Sequence, residues 1–232
     1  MDIEIEKLTE LQDRWAHTRG YNPFVRDGIL SPEAWMTAKP RILFLMKESH
    51  KKANWYNISG SPIEIIARNG KFPIIWRNIV RWRDLIKSVY TGNASSSQAE
   101  YDAFDSRYAG TIQLSDIAYV NVSKELGETT SSQKLIQQAA IRDKEFLTEQ
   151  IDLICPDVIL CANTFWSYHA AYHPSTEFTC PADRIFIHRK RLVIKFSHPS
   201  PPGGNKEKVL HDELAMILAQ PVVRSFICKE IQ

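Results

Sequence analysis

Leu192-Val-Ile-Lys-Phe-Ser-His-Pro-Ser-Pro-Pro-Gly-Gly-Asn205 runs a strand-like apolar segment straight into a loop that cannot continue it. Proline fixes φ and removes a backbone donor, and glycine frees the chain to turn, so the strand must end beside His198. The same pattern recurs upstream. Arg41-Ile-Leu-Phe-Leu-Met46, Ile117-Ala-Tyr-Val-Asn-Val122 and Val158-Ile-Leu-Cys161 are short continuous apolar runs bounded by polar or breaking residues. Runs of that length read as strands buried on both faces. Arg184 to His188 reads as a partner of the last strand, in a hairpin turning at Arg189-Lys190.

Helical spacing fills the intervals. Residues 6 to 18 form an amphipathic pattern; Ile75, Ile79, Trp82, Ile86 and Val89 share a face that stops at Thr91-Gly92. Ser132 is placed to cap one long helix in which Ile136, Ala140, Leu147, Ile151 and Ile154 align, ended by Pro156. A short helix from about Asn163, which is placed to cap it, to Ala171 follows. A last helix runs from the cap Asn205 to about Gln220, where Pro221 ends it. The segment from Lys47 to Gly70 reads as a long irregular loop, and Ala94 to Gln98 as a surface loop.

Strands alternating with helices predict a three-layer α/β/α sandwich around a central, mainly parallel four-stranded sheet. One domain over residues 1–232 is expected, with an N-terminal helical extension over about 1–39. In such sheets the C-terminal strand ends converge on one ligand crevice. Glu48 follows the first strand, Asn121 with Ser123 and Lys124 the second, Asn163 the third and His198 the last. The tripeptide His198-Pro-Ser200 has a second copy, His173-Pro-Ser175, after a helix rather than a strand, so position and not composition singles out His198.

With 44% hydrophobic and 24% charged residues in 232, the chain can bury a core without metals or disulfides. No run approaches the roughly 20 apolar residues of a membrane helix. The acidic start, Met1-Asp-Ile-Glu-Ile-Glu, lacks the basic and apolar regions of a secretory signal, so a cytosolic location is expected. Cys155, Cys161, Cys180 and Cys228 have no spacing for zinc or an iron-sulfur cluster, and neither metal nor other cofactor is expected. The net charge is only +2. Basic residues nevertheless cluster at Lys47, Lys51 and Lys52, at Arg77, Arg81 and Arg83, and at His188 to Arg191. Binding a phosphate backbone needs several cations on one face, which a nearly balanced charge allows if the acidic residues are segregated elsewhere; a solvated surface is the other reading of any single cluster.

Taken in order, these motifs resemble the uracil-DNA glycosylase superfamily over about residues 40 to 220. Phe196-Ser-His-Pro-Ser-Pro201 is similar to that family's histidine loop, Ala118-Tyr-Val-Asn-Val-Ser-Lys124 to the strand whose asparagine reads the base, and Ile42-Leu-Phe-Leu-Met-Lys-Glu48 to the first motif. Phe72-Pro-Ile-Ile-Trp-Arg-Asn-Ile79 is similar to the loop and helix that touch the DNA backbone. The resemblance implies that Glu48 and His198 are catalytic and that Asn121, with Trp55 or Tyr56 stacking, holds the base. It also implies that Lys47, Phe72, Pro73, Lys124, Ser197 and Ser200 contact nucleic acid, with DNA, single strands included, as the partner. The first motif here, Met46-Lys-Glu-Ser-His50, lacks the family's usual glycine and proline, and Pro201-Pro-Gly-Gly204 stands where a leucine wedge is common. Hydrolysis of the N-glycosidic bond of a flipped uracil is the activity implied. A non-catalytic nucleic-acid binder and a nucleoside or nucleotide hydrolase are the alternatives.

Overall fold

The computed structural model describes residues 5–50, 58–60, 62–66, 72–92, 111–127, 132–175, 177–200 and 206–230. In chain order its helices are α1 (Ile5–Arg19), α2 (Pro32–Thr37), α3 (Ile74–Tyr90), α4 (Gln133–Arg142), α5 (Lys144–Ile154), α6 (Phe165–Tyr172), α7 (Glu207–Leu218) and α8 (Pro221–Glu230). The strands are β1 (Gly28–Ile29), β2 (Ile42–Met46), β3 (Ser49–His50), β4 (Ile63–Ile66), β5 (Thr111–Leu114), β6 (Ile117–Asn121), β7 (Leu126–Gly127), β8 (Val158–Ala162), β9 (Thr179–Ala182), β10 (Ile185–His188) and β11 (Arg191–Phe196).

The four apolar runs lie side by side, β2 pairing parallel with β6 and β8, and β8 with β11. The expected four-stranded sheet is nevertheless a seven-stranded mixed one, in the order β1-β6-β2-β8-β11-β10-β9. β1, β10 and β9 join antiparallel at its margins. Arg189 and Lys190 turn the β10–β11 hairpin with both φ angles positive, 49° and 58°, the combination a two-residue turn needs to follow strand twist. Two short pairs, β3 with β7 and β4 with β5, place strands inside the segment expected to be irregular.

Side chains of each central strand alternate between two cores. Ile42, Phe44 and Met46 of β2 join Trp76, Trp82, Leu214 and Phe226 on one face, where α3, α7 and α8 pack. Leu43 and Leu45 join Trp15, Ile151, Phe165 and Tyr168 on the other, where α1, α5 and α6 pack. Helices therefore cover both faces, and the central strands have no polar side to spare.

Ser132 and Pro221 stand at helix boundaries as expected, while the interior of the long helix and the start of α7 differ from the sequence reading. The long helix breaks into α4 and α5 at Asp143, whose buried carboxylate accepts bonds from Arg19 Nε at 2.6 Å and the Tyr21 hydroxyl at 3.0 Å. A helical residue tied to α1 at that point cannot keep both turns in register. Ser132 makes no side-chain cap bond. Pro221 ends α7 as expected but also opens α8, a position where its missing N–H costs nothing. Asn205 lies outside the described residues, as does Ala94 to Gln98, and Lys206 holds the cap position of α7. Among the described residues no helix is long and apolar enough to cross a membrane.

Candidate functional site

In chain order, β2 crosses through α3 on one face to β6, and β6 returns through α4 and α5 on the other face to β8. Departing connections part between β2 and β8, which makes their C-terminal ends the topological switch point of the sheet. Here Thr164, fully buried, donates its hydroxyl to Leu45 O at 2.7 Å, and Asn163 N donates to Phe196 O at 2.8 Å. The ends of β2, β8 and β11 are thereby tied together. Asn163 takes φ +59° and stands one residue before the helix cap, which is Thr164. The expected Asn163 cap is thus displaced by one, because Asn tolerates the left-handed conformation that the bend out of β8 requires.

His198 is held from two sides. Its Nδ1 lies 3.1 Å from Ser200 N and 3.3 Å from Ser200 O, and the next residue's carbonyl, Pro199 O, accepts from Asn78 Nδ2 of α3 at 2.6 Å. Burial, and then the Lys47 ammonium, lower the imidazole pKa, while the Ser200 backbone opposes them. Nδ1 is thus engaged by the Ser200 backbone, accepting from its N–H in one neutral tautomer and donating to its carbonyl in the other, and Nε2 is the ring nitrogen that the Ser200 backbone leaves for a ligand. Asn78 is fully buried and its Oδ1 has no partner in the described structure. Sequence reasoning missed Asn78, although an amide four residues before Trp82 on an apolar helix face is a visible anomaly.

Glu48 follows Lys47, whose ammonium acts on His198. A Cβ built on Gly127 would fall 2.1 Å from Glu48 Cδ, so the carboxylate arm rests across that glycine. It lines a groove of about 470 Å³ with Ser123, Leu126 and Arg142, whereas Ser197 lines a different groove of about 310 Å³ with Asn163, Trp166 and Lys195. No described cavity is lined by both Glu48 and the His198 turn.

Asn121 and Lys124 are fully buried. Asp27, from the N-terminal segment, accepts from Asn121 N at 2.8 Å and Asn121 Nδ2 at 2.9 Å, and pairs with the Lys124 ammonium, which also donates to Asn121 O at 2.9 Å. Gln150 and Gln12 donate to the Asp27 carbonyl. Burial pulls the Lys124 pKa down against the attraction of Asp27. Lys124 therefore holds the core and does not face a phosphate. Asn121 gives one amide N–H to Asp27, and its Oδ1 has no partner in the described structure. Phe72 also belongs to the core, at 3% exposure, while Pro73 and Ser200 are exposed and Lys47 and Ser197 half-buried. Trp55 and Tyr56 lie outside the described residues.

Arginines of two of the basic clusters are paired with acids, most of them distant in sequence. Arg77 and Arg81 share Glu207, with Arg77 Nε at 2.6 Å, and Arg83 reaches Asp84 and Asp116. Arg189 and Arg191 both bind Asp152 at 2.7 Å. Among the described residues no group of three or more His, Cys, Asp or Glu could hold a metal.

The second tripeptide copy builds a different structure. Ser175 Oγ lies 3.4 Å from His188 Nε2, and His188 Nδ1 lies 2.7 Å from the Tyr168 hydroxyl, with Phe178 stacked at 3.9 Å. Burial, then Arg189 and Arg191, lower the His188 pKa to about 4. The unfolded chain takes up this proton near pH 6.5, about 2.5 units higher. Between those values the unfolded state binds more protons, so the stability is full above about pH 6.5 and is lost as the pH falls toward 4. Urea titrations at pH 7 and 4.5 should show wild type losing about 2 kcal/mol more than His188→Gln; equal losses would contradict the assignment.

Comparison with protein-family models, with curated proteins and with solved structures finds no match for this chain.

Proposed function

We propose that the protein binds an extrahelical nucleic-acid base at the C-terminal edge of its parallel strands, and that hydrolysis of the N-glycosidic bond, with uracil in DNA as the first substrate to test, is its reaction. The observation that carries this reading is the His198 turn: an imidazole of lowered pKa whose Nδ1 is engaged by the Ser200 backbone, in a turn held by Asn78 beside Lys47 at the end of a parallel strand, so that Nε2 is the nitrogen we assign as donor to the base. A base leaving a sugar carries the bonding electron pair of the C1′–N bond. A rigid N–H donor and a nearby ammonium stabilise that developing negative charge, while water supplies the new C1′–O bond and gives up its proton to a base. Glu48 is the carboxylate assigned to that proton and to the positive charge on the sugar, which requires its arm to leave Gly127.

The second reading, base binding without turnover, is favoured by two placements. Glu48 lies across Gly127, and Asn121 is fully buried with one amide N–H given to Asp27. One assay separates the two. Wild-type protein incubated with a uracil-containing single-stranded oligonucleotide, then treated with alkali, should cleave the strand; His198→Asn should cut the rate by about two to three orders of magnitude, and Glu48→Gln should lower it as well. Binding without cleavage supports the second reading, and neither binding nor cleavage overturns both.

A further inference from the structure

We infer that Trp166 is a stacking platform for single-stranded nucleic acid, on a track that runs from the His198 turn across α6. The inference rests on the reading that a nucleic acid is the ligand of that turn. Trp15, Trp35, Trp76 and Trp82 are at most 3% exposed, but Trp166 is 56% exposed. Its ring is steadied by edge contacts with Phe165 at 5.1 Å and His169 at 6.0 Å, and the Lys195 ammonium lies 5.0 Å from its centroid. An exposed indole held in one orientation is a surface on which any base can stack, because every base offers a π face.

Trp166 also stands where two grooves meet. The first, about 310 Å³, contains Ser197, adjacent to His198, together with Asn163 and Lys195; the second, about 350 Å³, contains Lys144, His169 and His173. Among the described residues lining either groove Glu213 is the sole acid, and Arg184 pairs with it. Cations on both sides of one exposed aromatic match a chain that alternates phosphates with flat rings. A duplex keeps its bases stacked on one another and cannot offer one to the indole, so the occupant is a single strand. A second copy of this protein seated on Trp166 and the exposed Ile141 is the competing occupant.

The test uses the full chain and a twelve-residue oligothymidylate, which contains no uracil. Quenching of tryptophan emission and an ultraviolet cross-link at Trp166 are expected, with affinity falling as salt rises. Trp166→Ala should weaken binding about five- to a hundredfold while Trp166→Phe stays within about threefold; thermal unfolding confirms that both variants fold. Wild-type affinity in Trp166→Ala, or cross-links only outside the two grooves, overturns the inference. So does sedimentation showing that Trp166 is covered by self-association. If uracil excision fails while oligothymidylate binding still depends on Trp166, only the glycosylase reading falls. If excision persists with no dependence on Trp166, only this inference falls.

Discussion

Asp27→Ala should destabilise the protein by about 3–5 kcal/mol, the cost of leaving a buried charge without its partner. Asp27 is fully buried and receives Asn121 through both its backbone and its side chain, together with the Lys124 ammonium. Removing the carboxylate takes an acceptor from four donors at once, Gln150 Nε2 included. Lys124→Met should cost less, because the remaining carboxylate keeps the N–H bonds of Asn121 and the Gln150 amide at 3.2 Å. Urea unfolding followed by circular dichroism reads the order of the two variants. Equal costs, or a larger cost for Lys124→Met, would mean that the ammonium and not the carboxylate organises this centre.

Trp82→Ala should cost about 3–5 kcal/mol through the cavity it leaves. Trp82 is fully buried and meets Phe196 edge-to-face at 5.0 Å, two residues before His198. It lies one helical turn from Asn78, the residue that holds Pro199. Thermal unfolding should therefore shift by about 10 °C or more, and the same variant at a temperature where it is folded should bind oligonucleotide more weakly. Asn78→Ala should share the second effect with a smaller share of the first. Unchanged binding in both would detach α3 from the site.

The central strands were legible because each is a continuous apolar run buried on both faces, as in Ile42 to Met46. The flanking strands were not. β1 is only Gly28 and Ile29, and β9 contains Pro181 and is largely exposed, so neither carries an apolar pattern. Long-range partners explain the other departures. Nothing near Asn121 or Lys124 announces Asp27, 94 and 97 residues earlier, and nothing near Arg77 announces Glu207. A sequence shows which side chains want partners but not which distant segment supplies them. His198 was legible because its constraint is local, in the prolines that end its strand.

The pairing of Asp27 with Lys124 also orders events during synthesis. The carboxylate leaves the ribosome early, its ammonium partner much later, and Gln150, which bonds the same residue, later still. Until Lys124 has emerged, Asp27 lacks its ammonium partner, and burying an unpaired carboxylate in an apolar interior is costly. The N-terminal segment is thus withheld from the sheet until β6 and Lys124 have been made. A nascent chain stopped before Lys124 should expose its first helix to proteolysis even though β2 and β6, two of its four central strands, are already present.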